Sequence, residues 1–312
     1  MVNKEKNFVS AIVYVHNAEE RIQEFLKMLI DVMESNFEHS EIICVNDCSD
    51  DKSTNRIKEA AKEARTTSIS LINMSYYHGM EMAMNAGLEL SIGDFVYEFD
   101  STILDFEPSV IMDIYNHSLK GYDIVSASPE KKEKVSSRMF YRVFASFSEF
   151  SYKMTTESFR ILSRRVINRI GAMNKTVPYR KAIYANSGLK TDVIKYNITQ
   201  SYNKKSEKSE RKYRTGLAFD SLILFTKMGY SFAKAMTAIM MFISVFMIIY
   251  SAAIYMTSNP VAGWTTTVLF LSVAFFGLFG ILTVIIKYLQ LIVDLVFKRK
   301  HYSFESIEKI TQ

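Results

Sequence analysis

HGMEMAMNAGLELSIGDFVYEFD, residues 78–100, decides the fold. Residues 78–91 read as a helix and residues 93–100 as a strand, with Asp100 at its tip. The same alternation extends toward the N-terminus. FVSAIVYVH (8–16) is an apolar β-branched run ending at Asn17, and AEERIQEFLKMLIDVMES (18–35) has helical periodicity. SEIICVND (40–47) is a second short strand; CSDDKSTNRIKEAAKEAR (48–65) is a charged helix with Ser49 or Asp50 as its N-cap. TSISLINM (67–74) is a third strand. Repeated strand–helix alternation predicts a parallel sheet covered on both faces. Ligands of such sheets bind beyond the carboxyl ends of the strands. Asn17, Asp47 and Asp100 all stand at such ends and are expected to share one crevice.

The strand runs on into FVYEFDSTILDFEP (95–108), where Asp100 is followed by Ser101, Thr102 and then Asp105. An aspartate at a strand tip with hydroxyls behind it suits a metal and a phosphate. It equally suits an ordinary strand end.

Net charge is +5, too mild to argue for nucleic acid. The charge is unevenly spread. Residues 235–286 are almost free of it, and within them 235–256 and 264–286 are each about the length needed to cross a hydrocarbon core. Lys227 and Lys234 precede this region, and Lys287, Lys298, Arg299 and Lys300 follow it. The positive-inside rule then predicts two transmembrane helices with both ends cytosolic, a short uncharged loop outside, and Trp264 as an interfacial anchor. The segment 215–233 is expected to lie in the interface as an amphipathic helix. Residues 291–312 read as a helical continuation and then a polar cytosolic tail, suited to packing on a neighbouring subunit. Basic residues from Lys204 to Arg214 and from Lys298 to Lys300 flank the apolar region, as contact with anionic headgroups requires. The two cysteines, Cys44 and Cys48, form a lone C-x3-C without a second pair and read as ordinary thiols. The histidines show no metal-ligand spacing, and the sequons at Asn116, Asn174 and Asn197 fall in the expected cytosolic part.

These stretches resemble the motifs of family 2 glycosyltransferases. VSAIVYVHNAEE is similar to the family's opening V-S-V-V-I-P-x-Y-N-E-E, and EIICVNDCSDDKS to V-D-D-G-S-x-D-x-T. Gly79, Ala83, Gly87, Gly93, Asp94 and Asp100 keep the family's spacing. GYDIVSAS, SSRMFYRVF and SFRILSRRVINRI resemble, in order, later blocks of the polyprenyl-phosphate branch, which includes dolichol-phosphate mannose synthase and the bacterial GtrB-type enzymes.

The resemblance implies a GT-A (Rossmann-like) cytosolic domain over residues 1–214, with the transmembrane hairpin in 234–290. It implies an inverting transfer of a hexose, UDP-glucose-like in donor, to a polyprenyl phosphate at the cytosolic leaflet of the plasma membrane, by a homo-oligomer, a tetramer in the GtrB type. Asp47, Asn46, Glu19, His78 and Asp94 would bind the donor, and Asp100 with Thr102 would hold Mg²⁺ or Mn²⁺ bridging its diphosphate. Asp100, Arg160 and Ser158 would occupy the catalytic positions. Arg138, Arg160, Arg211 and Lys212 would meet the acceptor phosphate, which guanidinium groups bind with paired hydrogen bonds. The chain departs from the pattern at several of these places. Thr102 replaces the second aspartate of D-x-D, Leu104 a glutamine, Asn46 an aspartate, Tyr14 a proline, His78 an asparagine and Ser158 an aspartate. A catalytically silent relative that binds a nucleotide or a partner, and an enzyme with another acceptor, are the alternatives left open.

Overall fold

The computed structural model describes residues 4–130, 156–172, 180–199, 264–297 and 303–311, with scattered positions between 235 and 246. In chain order the elements are β1 (Val9–Val15), α1 (Ile22–Asn36), β2 (Ser40–Asn46), α2 (Ser53–Ala61), β3 (Ser68–Met74), α3 (Met80–Leu90), β4 (Phe95–Phe99), α4 (Ser109–Ser118), β5 (Ile124–Pro129), β6 (Phe159–Ser163), α5 (Arg164–Ala172), α6 (Arg180–Asn186), β7 (Thr191–Tyr196), α7 (Trp264–Phe297) and β8 (Phe304–Lys309).

Eight strands form one sheet in the order β7-β5-β6-β4-β1-β2-β3-β8. β1 pairs in parallel with β2 and β4, β2 with β3, and β5 with β7, as the sequence predicts for the first four strands. β6 is inserted antiparallel between β4 and β5. The strand order reverses at β1, so the tips of β4, β1 and β2 lie side by side, where open sheets of this kind bind ligands. Asn17, Asp47 and Asp100 therefore do stand on one edge.

Burial explains why the strands read as continuous apolar runs. The two faces of β1 are covered by different clusters. One face packs Val13 with Phe25, Leu29 and Ile57 of α1 and α2; the other packs Ile12 with Ala83, Met84 and Ala86 of α3. Gly79, Ala83 and Gly87 are four residues apart and so share one side of the helix. A methyl on Gly87 would collide with the Ile12 side chain, so glycine lets α3 close on the sheet. Gly93 meets backbone, because a Cβ there would lie 2.6 Å from the Ser10 nitrogen and 2.9 Å from the Phe8 oxygen.

Two sequence expectations are corrected. α2 begins at Ser53 with Lys52 in the N-cap position, not Ser49 or Asp50. Asp51 takes over the capping chemistry by accepting the Ser53 N–H at 2.9 Å, while Ser49 turns to Asn17. The C-terminal tail does not reach for a neighbour along its whole length. Residues 304–309 form β8, antiparallel to β3, and cover that edge of the sheet. Asn73 Nδ2 donates to Ser306 Oγ at 3.0 Å, and the Ile69 N–H donates to Thr311 Oγ1 at 2.7 Å.

The chain divides into two compact units, residues 219–298 (with 146–149) forming the second. Within the second unit α7 is one helix of 34 residues. Gly277 faces Met240 and Gly280 faces Met236, an antiparallel pairing of contacts. Counting only described residues, no helix is long and apolar enough to cross a membrane. The expected first span (235–256) lies almost wholly outside them, as do many side chains of the second (264–286) and all of the segment 215–233.

Gly93→Ala forces backbone apart where β4 enters the sheet. The expected loss is about 1–3 kcal/mol, read as a lower urea midpoint with an unchanged slope.

Candidate functional site

The site grows from a periodicity. Residues two apart on a strand project to the same face, so Glu98 in β4 and Asp100 just beyond it point together toward the α3 side of the sheet. β6 pairs Arg160 directly with Glu98. α6 brings Arg180 in from the other direction.

The four side chains close a ring. Arg160 donates through Nη1 to Glu98 Oε2 at 2.7 Å and through Nη2 to Asp100 Oδ2 at 2.9 Å. Arg180 donates through Nη1 to Glu98 Oε1 at 2.5 Å and through Nη2 to Asp100 Oδ1 at 2.7 Å. Each guanidinium thus bridges both carboxylates, and each carboxylate uses both oxygens. The remaining donors are also engaged. Arg160 Nε donates to Glu157 at 3.1 Å, Arg180 Nε and its backbone N–H both reach Glu81 Oε2, and the Tyr184 hydroxyl donates to Glu98 at 2.8 Å. Lys181 stands 3.7 Å from Glu157. Of the ring, the side chain of Asp100 alone has appreciable exposure, 15%.

Ion pairs this deep survive because they are closed. At an effective dielectric near 20, a pair about 4 Å apart gains about 4 kcal/mol, and desolvation takes back several kcal/mol per ion. The balance favours the complete ring and penalises any incomplete one. Burial pushes the Asp100 carboxyl up, but the charges of Arg160, Arg180 and Lys181 outweigh it and hold the group well below the ordinary carboxylate range. Burial likewise works against ionised Glu157, and Lys181 and Arg160 overcome it.

Asp47 sits at the tip of β2, fully buried. It accepts the His78 N–H at 2.8 Å, the Gly79 N–H at 2.9 Å and the Tyr14 hydroxyl at 3.0 Å. Gly79 is the N-cap of α3 with φ +84°, a conformation open to glycine. The carboxylate therefore complements the positive end of α3 and ties it to the tip of β2. Burial first, then the charge of Asp47, push the Tyr14 phenol far up, so Tyr14 stays a donor. Asn46 bonds Asn73, Thr54 and the Ser49 N–H. Glu19, more exposed, accepts the Lys52 N–H at 2.9 Å. The His78 ring donates through Nδ1 to the Tyr76 carbonyl at 2.5 Å and accepts the Ser303 N–H on Nε2 at 3.1 Å. Tyr76 stacks on His78 at 3.9 Å and Tyr77 packs on His16 at 4.7 Å, and both tyrosines are exposed.

A hydroxyl chain lies on the same edge. Ser158 Oγ meets the Tyr196 hydroxyl at 2.5 Å, and Tyr196 donates to Asp105 Oδ1 at 2.9 Å. Burial leads in pushing the Tyr196 phenol upward, and the nearby Asp105 adds to it, so the phenol keeps its proton.

The structure thus brings Asp47, Asn46, Glu19, His78, Asp100, Thr102, Ser158 and Arg160 to the carboxyl edge. Asp94 is a correction. It precedes β4, at the amino edge, where its carboxylate accepts the Phe8 N–H at 3.0 Å. A five-residue strand of about 17 Å separates it from Asp100. Arg160 is a second correction. It is 1% exposed with every nitrogen on a carboxylate, so it anchors Asp100 and is not displayed to an acceptor phosphate. Asp47 and Asn46 are occupied by protein partners and shape the crevice from beneath. Arg138, Arg211 and Lys212 lie outside the described residues. Glu98, Arg180, Glu81 and Glu157 went unread in the sequence; the signal for Glu98 is a charge inside an otherwise buried strand.

Mg²⁺ or Mn²⁺ does not fit at Asp100 as these residues stand. Both its oxygens are held by guanidinium groups, Thr102 brings no charge, and no trio of His, Cys, Asp or Glu among the described residues is placed to hold a metal ion.

The family model Glycosyl transferase family 2 matches residues 10–183. The chain is 26% identical over 195 residues to the uncharacterized glycosyltransferase sll0501 of Synechocystis, covering 61% of this chain and 60% of that one. It is 26% identical over 194 residues to the prophage bactoprenol glucosyl transferase homolog of Escherichia coli, covering 60% and 62%. The matches therefore span about three fifths of each relative's length. Among solved structures, glucosyl-3-phosphoglycerate synthase of Mycobacterium tuberculosis, in complex with Mn²⁺, UDP-glucose and phosphoglyceric acid, shares the fold with a TM-score of 0.51 at 12% identity, covering 70% of this chain and 78% of that one.

Opening the ring is expected to be costly. Arg180→Met leaves Glu81, Glu98 and Asp100 short of a cation and should lower unfolding stability by about 3–5 kcal/mol, measured by urea denaturation. The pH dependence has a definite sign. Asp100 has a depressed value in the folded chain, so its contribution is present above the ordinary carboxylate range and disappears as pH falls through that depressed value. Between pH 5 and 8 this group should leave stability flat, and replacing Asp100 with Asn should remove part of the acid-side slope.

Proposed function

Because the chain belongs to glycosyl transferase family 2, we propose that it moves a hexose from a nucleotide-sugar to a polyprenyl phosphate. UDP-glucose is the donor that the GtrB-like layout suggests. The single observation that carries the acceptor assignment is the state of the acidic groups at the strand tips. Glu81, Glu98, Asp100 and Glu157 each already hold a cation, and Asp105 accepts from Tyr196. Ser158, where the family has an aspartate, is a hydroxyl bonded to a phenol that keeps its proton. A sugar hydroxyl acceptor requires a general base. A phosphomonoester, with its second pKa about 6, arrives as an oxyanion and requires only positioning.

The transfer then proceeds by inversion. An acceptor phosphate oxygen forms the new bond to the anomeric carbon while the bond to the nucleoside diphosphate breaks, and the electron pair leaves with the diphosphate. Exposed Tyr76 and Tyr77 offer faces for a nucleobase beside the tips of β1 and β3. The N-terminus of α3, fixed by Asp47, keeps the β3–α3 loop in place. Arg138, Arg211 and Lys212 are proposed to meet the acceptor phosphate.

The bilayer belongs to the same reading. The runs 235–256 and 264–286, with cytosolic ends, would tether the enzyme in the plasma membrane beside its lipid acceptor. In support, α7 exposes an apolar stripe from Leu271 through Phe275, Leu278, Leu282 and Ile285 to Leu289. Such a stripe suits lipid or a second copy in a homo-oligomer.

Purified full-length protein in detergent, given undecaprenyl phosphate and UDP-glucose, GDP-mannose or other nucleotide-sugars, is expected to release nucleoside diphosphate only when the lipid is present. Turnover with a soluble sugar acceptor alone would move the assignment to another acceptor class. Donor binding without turnover on any acceptor would make the chain a binding scaffold.

A further inference from the structure

We infer that the strand-tip crevice handles its donor without a divalent cation, because the Arg160–Arg180 pair holds the carboxylate on which such a cation would rest. The observation is the closed ring. Asp100 spends Oδ1 on Arg180 and Oδ2 on Arg160, at 2.7 and 2.9 Å. A hard cation such as Mg²⁺ demands near-ideal octahedral geometry about 2.0–2.1 Å from its oxygens. To reach that distance at Asp100 it would displace two charge-assisted hydrogen bonds and then sit against two fixed positive groups. Neither guanidinium can withdraw cheaply. Arg160 is also tied to Glu98 and Glu157, and Arg180 to Glu98 and Glu81, all nearly inaccessible to solvent.

Among the described residues the neighbourhood supplies no replacement ligand set. Thr102 is neutral and 4% exposed. Glu98, the other carboxylate on that face of β4, has both oxygens engaged and no exposure. The two Nη2 groups at Asp100, the ring's one partly exposed member, therefore already neutralise the carboxylate that a cation would need. That the crevice is the donor site is part of the proposed function; the metal measurement below stands apart from it.

The test uses full-length protein in detergent. Free Mn²⁺ is followed by electron paramagnetic resonance during titration with Mn²⁺ alone and with Mn²⁺ plus UDP. UDP retention is measured in parallel by equilibrium dialysis, with EDTA and with Mn²⁺. The expected result is no saturable protein-bound Mn²⁺ at Asp100 with a dissociation constant below about 1 mM, and UDP retention changing less than about threefold between EDTA and Mn²⁺. One Mn²⁺ per chain, with an anomalous diffraction peak within coordination distance of Asp100, overturns the inference. So does a larger loss of UDP in EDTA. A peak outside the crevice leaves Asp100 to the arginines and supports it. Failure to retain UDP under either condition removes the donor-site reading, and the Mn²⁺ titration alone then decides the inference.

Discussion

The ring of Glu98, Asp100, Arg160 and Arg180 is the constraint on which the rest of the first unit depends. It joins β4, β6 and α6, which are distant in sequence, and through Glu81 it reaches α3. No member is stable there alone. An unpaired guanidinium or carboxylate in that position would carry its full desolvation cost, so the insertion of β6 beside β4 and the placement of α6 over it are required together. What the ring contributes is specificity of arrangement more than net stability. It sets the tip of β4 at the point where the strand order reverses, the same point that gives the fold its crevice.

A second polar anchor does similar work at the tip of β2. Asp47 is as buried as Glu98, but its partners are two backbone N–H groups and a phenol. One anchor is ionic and long-range; the other caps a helix. Between them they fix both walls of the groove on either side of β1. Asp47 and Asp100 keep acidic positions of the family's pattern with their oxygens committed to the protein, while Asn46, Thr102 and Ser158 replace others.

Much of the fold was legible because its signals are local. Four strand runs and the three helical stretches between them lie at the expected positions, and the glycines at 79, 87 and 93 have visible steric reasons. The site was harder to read because its partners are not local. Arg180 bonds Glu98 across 82 residues, and nothing in VPYRKAIYAN announces an acid in a distant strand. Arg160 stood out as a cation within an apolar stretch, yet burial makes it a brace and not a display group. Asp94 is adjacent to the strand in sequence but stands at its opposite end in space. β8 was read as tail because FESIEK is half polar, as an edge strand has to be, and its partner β3 lies more than 200 residues earlier.

The ring itself is best tested by double-mutant cycles joining Asp100→Asn with Arg160→Met and, separately, with Arg180→Met, using unfolding free energies. A closed ring predicts coupling of about 1–3 kcal/mol in both cycles. Additivity within about 0.5 kcal/mol in either cycle would contradict it, since one guanidinium would then be no partner of that carboxylate.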